Sequence, residues 1–99
     1  MAKFVYVYYA GKDTDAGDDK AWGEWFGSLG DKLTDPGNPF NEGGQAVHMD
    51  GVMDVQDKPV TGYSIVSVDD MKAAVELAKG CPLVDSKDGA VCVYEALPM

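Results

Sequence analysis

His48 is the only histidine in the chain, and Asp50 follows two positions later. Histidine is the side-chain type whose ordinary titration spans neutral pH. On a strand, that spacing puts both side chains on one face, about 7 Å apart at the Cα atoms. A carboxylate there could orient the imidazole as general acid or base, which makes His48 and Asp50 the candidate catalytic pair. The competing reading is an exposed pair near a strand end, with His48 bonded to Asp50 or to water. Asp54 or Asp57 could add an oxygen donor for a divalent ion. Acidic loops are usually just solvated, however, and no metal site is assigned. Cys92 has no basic neighbour in sequence that would lower its thiol pKa, and Cys81 reads as a packing residue at a helix end.

Tyr6, Tyr8, Trp22, Trp25 and Tyr63, with Tyr94, are the second group of interest. They could line an apolar pocket for a small-molecule substrate or ligand, since such pockets are largely apolar with few polar groups. Aromatic residues at these spacings more often belong to a core, and some can serve both purposes. No cofactor is implied.

The elements that must position these residues follow from periodicity. Lys3–Ala10 (KFVYVYYA) is the clearest strand, apolar on both faces and so in need of cover on both sides. Asp15 or Asp18 could cap the helix after it. Trp22, Trp25, Phe26, Leu29 and Leu33 recur at helical spacing and form one stripe. Gly23, Gly27 and Gly30 form a second stripe beside it. These glycines mean either surface tolerance or close approach by another backbone or a bulky side chain. Thr34–Gly44 is a Pro/Gly/Asn loop that stops the helix.

Gln45–Asp50 reads as the second strand, with Val47 and Met49 on one face and Ala46, His48 and Asp50 on the other. Gly51–Thr61 reads as a second polar loop, and Tyr63–Val68 as a strand. Both loops exceed the usual median of about 4–6 residues, and long loops over a rigid sheet are where binding is expected. Asp69 is the expected N-cap of a second helix, with Asp70 also favourable near its positive end. Met71, Ala74, Val75 and Ala78 are its expected buried stripe, Gly80 its left-handed terminator and Pro82 its stop. Asp88-Gly89 turns the chain into a last strand, Ala90–Leu97. The order β-α-β-β-α-β is the ferredoxin-like plan of the α+β class, with a four-stranded antiparallel sheet.

Ninety-nine residues make one domain, spanning 1–99. The net charge of −9 and eight scattered lysines argue against nucleic acid and anionic membranes as partners. No stretch approaches the roughly 20 apolar residues of a membrane span, and no secretory signal is visible. A cytoplasmic protein with free thiols is therefore expected. In the βαββαβ plan both helices cover one sheet face. The first strand is apolar on its other face too, and a large bare apolar patch is disfavoured on a soluble monomer. A homodimer packed sheet to sheet is the expected remedy.

Thr61-Gly-Tyr-Ser-Ile-Val-Ser-Val-Asp-Asp-Met71, Ala74-Val-Glu-Leu-Ala-Lys-Gly-Cys-Pro82 and Val91-Cys-Val-Tyr-Glu95 together resemble the YCII-related family. Trp22-Gly-Glu-Trp-Phe26, Leu29-Gly30 and Asp35-Pro-Gly-Asn-Pro39 are similar to one subgroup of it, and Asp50-Gly51 resembles the opening of the Asp-Gly-Pro-Phe motif of another. The resemblance implies the dimeric α/β barrel. It implies less about function: a His–Asp pair has been proposed as catalytic in some members, and one relative is a lactone dehalogenase. The histidine expected on the first helix is absent here, where Trp22 and Trp25 stand instead, and Val52-Met53 replace the Pro-Phe. By position only Asp50 inherits a catalytic expectation. An enzyme acting on a small organic acid, lactone or aromatic compound is one expectation; a non-catalytic module binding a ligand or protein, in stress regulation, is the other. A relation to haem-degrading or cofactor-free monooxygenases rests on fold analogy alone.

Overall fold

A strand apolar on both faces belongs in the middle of a sheet, and that is where Ala2–Ala10 (β1) lies. The computed structural model describes residues 1–11, 13–41, 43–55 and 60–99. After β1 come helix α1 (Asp19–Leu29), a 3-10 turn (Gly30–Lys32) and strands β2 (Leu33–Asp35), β3 (Gln45–His48), β4 (Gly51–Asp54) and β5 (Val60–Val68). Helix α2 (Met71–Ala78), a 3-10 turn (Pro82–Asp85) and β6 (Gly89–Ala96) complete the chain. The fold is α+β: a four-stranded antiparallel sheet ordered β2-β5-β1-β6, two helices, and a separate two-stranded sheet of β3 and β4. Among the described residues no helix is long and apolar enough to cross a membrane.

Alternation along β1 sends Phe4, Tyr6 and Tyr8 to one face, where all three are buried. Both helices pack there. Trp25 of α1 stacks on Tyr6 at 5.9 Å between ring centroids and meets Tyr8 edge-on at 6.2 Å. From α2, the Ala74 carbonyl accepts a 2.5 Å hydrogen bond from the Tyr6 hydroxyl, so this buried phenol keeps a partner. The Trp25 indole N–H reaches across to the Leu77 carbonyl at 3.0 Å. One tryptophan thus joins both helices to the sheet.

The opposite face carries Val5 between Ile65 and Tyr94, and Val7 between Tyr63 and Cys92. No described helix covers it. The molecule is 20 Å thick along its shortest axis, room for one helix layer on one sheet.

Both helices start on an aspartate. Asp18 accepts from the Ala21 N–H at 2.8 Å and Asp70 from the Ala73 N–H at 2.9 Å; the second cap is therefore Asp70, not Asp69. In α2, Ala74 and Ala78 are buried, with Ala73 and Leu77 packed beside them, whereas Met71 and Val75 stay exposed. The apolar stripe is rotated from the expected one because the small face of the helix fits closest over Tyr6. Helix α1 ends at Leu29, so Leu33 leaves the helical stripe and joins the sheet.

A Cβ on Gly23 or Gly27 would meet nothing within 4 Å, which decides for surface tolerance at both. Gly80, in contrast, has a close neighbour: a Cβ there would lie 3.0 Å from Trp25 Cδ1. Its backbone is not left-handed, so it serves to let the indole in and not to terminate α2 in the expected way.

Burial pushes the Tyr6 hydroxyl up to about 12 and the Cys81 thiol up to about 11, with smaller charge effects adding to each. A raised pKa means the folded state holds its proton after the unfolded chain has lost it. Stability is therefore full below the ordinary thiol and phenol values of 9.0 and 10.0 and is lost as pH rises through about 11 and 12. Urea midpoints measured across that range are expected to fall steadily above pH 9 and stay level just below it. A flat profile to pH 11 would contradict the burial of both groups.

Candidate functional site

One face of α1 faces a cavity. Asp19, Trp22 and Phe26 stand at i, i+3 and i+7, which aligns them along the helix. Opposite them, the segment 36–39 runs beside β5 as a strap, with Pro39 bridged to Gly62. Tyr8, Thr61 and Gly62 form the floor of this half-open cavity, whose volume is about 380 Å³. That lies within the roughly 300–1,000 Å³ of sites for small organic molecules. A shallower hollow of about 270 Å³ between α2 and β6 is walled by aliphatic residues and the Lys79 side chain.

The strap is fixed by a short relay. The Tyr8 hydroxyl donates to Ser64 Oγ at 2.8 Å, and Ser64 Oγ donates to the Pro36 carbonyl at 2.6 Å. Ser64 is fully buried, so each polar atom needs this arrangement. Asp35 Oδ1 then accepts from the Gly37 N–H at 2.8 Å, turning the chain. Gly37 has φ of +73°, and a Cβ there would fall 1.7 Å from the Tyr63 carbonyl oxygen. Only glycine lets the strap lie this close to β5.

Of the aromatic residues singled out from sequence, Tyr8, Trp22 and Tyr63 line the cavity. Trp22 meets Tyr8 edge-on at 5.1 Å and Phe26 at 5.7 Å. Alternation from buried Ser64 turns the Tyr63 ring to the uncovered sheet face, where it stacks on Phe40 at 5.8 Å. Tyr6 and Trp25 are not in the lining; they are core residues behind it. Tyr94 is exposed on the far face. Asp19 is a lining residue with no prior signal, Phe26 is known from sequence only as part of the helical stripe, and the 36–39 strap lies within the Thr34–Gly44 loop where binding is expected. The run Asp35-Pro-Gly-Asn-Pro39 was the available signal, a stiff turn-rich segment beside an aromatic helix.

His48 and Asp50 are placed differently from the expectation. Gln45–Asp50 is not a strand of the main sheet: β3 stops at His48 and pairs only with β4, and Asp50 falls in the turn between them. The two side chains therefore do not share a strand face. Both are exposed, neither lines the cavity, and neither has a hydrogen-bond partner among the described residues. The cause is the tight turn at Met49-Asp50, closed by Gly51 at φ +147°, with Val47 paired to Val52 beside it. It also makes Gly51–Asp54 a strand where a polar loop was expected. Among the described residues no three His, Cys, Asp or Glu side chains gather to hold a metal ion; Asp57 lies outside the described residues. Cys81 is buried and Cys92 half-buried, both as free thiols.

No family model, curated protein or solved structure matches the chain.

Proposed function

We propose that this chain is a small-molecule-binding domain, with its site between α1 and the 36–39 strap. The observation that carries this is an aromatic-floored cavity whose far wall is held by buried hydrogen bonds from Tyr8 through Ser64 to Pro36. A pre-formed pocket of this kind binds without first having to order its walls. The non-catalytic reading is favoured over the acid–base enzyme because His48 and Asp50 lie on the hairpin and not in the lining.

Calorimetric titration with benzyl alcohol and indole tests it. Binding is expected in the millimolar range or tighter, weakened about tenfold or more by Trp22→Ala, which removes a wall of the order of 1.5–3 kcal/mol in apolar contact. His48→Ala and Asp50→Asn are expected to leave it intact. No binding of either probe, or equal binding by Trp22→Ala, refutes the site; loss with His48→Ala would return the pair to consideration.

We propose also that a second copy covers the uncovered sheet face. Val5, Val7, Ile65, Tyr63, Cys92 and Tyr94 form a continuous patch there by register, the kind of apolar face that a soluble monomer ordinarily keeps covered. Each helix joins two parallel strands with a third between them, the split βαβ arrangement. This supports the ferredoxin-like plan, and with it a distant kinship to the YCII-related family and a dimeric barrel. Sedimentation at micromolar concentration is expected to give a particle of twice the 10.6 kDa chain, converted to single chains by Val7→Glu. A stable particle of one chain mass rules the pairing out.

A further inference from the structure

The main side-chain hydrogen-bond donors at the floor and helix wall of the cavity are already engaged. The Trp22 indole N–H donates to the Ala16 carbonyl at 2.6 Å, and the Tyr8 hydroxyl is committed to Ser64. Thr61 Oγ1 donates to the Tyr8 carbonyl at 3.4 Å. Asn38 Nδ2 turns toward the Tyr63 hydroxyl at 3.5 Å. The α1 N-terminus, where an anion could otherwise sit, is filled by the chain's own Asp18 carboxylate.

The charged group left open is an acceptor. Among the described residues Asp19 is the one charged side chain in the lining, and its carboxylate has no hydrogen bond or ion pair there. It stands on the same helix face as Trp22 and Phe26, whose π-faces favour a positive charge. Among the described residues the lining contains no Lys, Arg or His to receive a carboxylate or phosphate. The chain as a whole carries −9, which raises the local concentration of cations and repels anions.

From this inventory we infer that the cavity takes an organic cation: an ammonium group carried on a small aromatic or aliphatic body, the ammonium at Asp19 and the body against Trp22 and Phe26. The inference rests on the proposed site and narrows it to amines. It also turns the ligand class away from the organic acids expected from sequence, because an acid would bring a second negative charge to Asp19 with no cationic side chain among the described lining residues to meet it.

Three probes of one shape decide the matter: benzylammonium, benzyl alcohol and benzoate, titrated calorimetrically into the full chain at low and at 0.5 M salt. Benzylammonium is expected to bind at least about tenfold tighter than benzyl alcohol, with benzoate weakest, and added salt is expected to narrow the gap. Asp19→Asn is expected to erase the preference. Asp19 is exposed and Asp18 keeps the cap, so this variant is expected to retain the parent far-UV circular dichroism.

Equal binding of benzylammonium and benzyl alcohol overturns the cation assignment while leaving the pocket standing. A preference that survives Asp19→Asn overturns it too, since the overall charge would then be its source. Failure of all three probes removes both the cation and the site beneath it.

Discussion

Replacing Trp25 with alanine is expected to cost about 3–5 kcal/mol of folding free energy, the range for deleting a large aromatic side chain from a core. Small domains have about 5–15 kcal/mol in total, so the variant should be partly unfolded at 37 °C. The size follows from position. Trp25 stacks on Tyr6, meets Tyr8 and Trp22 edge-on, lies 5.5 Å from Phe26 and bonds the Leu77 carbonyl. Its removal opens a void at the junction of both helices with the sheet and leaves the Leu77 carbonyl without its indole partner. Chemical denaturation followed by circular dichroism checks this. Trp25→Phe is expected to recover part of the loss, because it refills volume without restoring the N–H bond. A cost below 1 kcal/mol for the alanine variant would mean the indole is not the joint between layers.

Gly37→Ala is expected to have the second largest effect, and a different character. An L-residue held at φ of +73° costs about 1–3 kcal/mol in backbone strain. The new methyl would also collide with the Tyr63 carbonyl at 1.7 Å, so the strap must lift from β5. Lifting it stretches the Ser64–Pro36 bond and widens the cavity. The variant should therefore lose benzyl alcohol binding together with about 2 kcal/mol or more of stability. Asn in place of Gly37 tolerates the backbone angle better but not the collision, so it should fare little better. Unchanged binding in Gly37→Ala would show that the strap is no part of the site.

The long elements were legible because their patterns are redundant. Lys3–Ala10 announces a two-faced central strand with seven apolar residues, and Asp18 and the Trp-rich face mark α1 at two levels at once. The failures fall where a short pattern admits two periods. Leu33 fits both a helical stripe and a strand, and three residues of β2 cannot outvote five of a helix; the stop was Gly30, whose φ of +58° ends α1. Ala46, Val47 and His48 read equally as part of the main sheet or of a hairpin, and the deciding information lay in Asp50-Gly51. The cavity was half visible. Tyr8 and Trp22 were nameable as aromatic residues, but that Trp25 would sit behind them depends on Gly80 admitting its indole, a contact between residues 55 positions apart.

The hairpin of β3 and β4 has one further consequence. Phe40 donates its N–H to the Thr61 carbonyl at 2.8 Å, so the chain leaves the body and returns to it at one closed gate. The described residues 43–55 form a detour that the four main strands do not require for their own pairing. Doubling a detour's length adds only about 0.6 kcal/mol of closure entropy. Descendants of this chain are thus free to lengthen, trim or replace residues 43–55, and to evolve new contacts there while the pocket stays as it is.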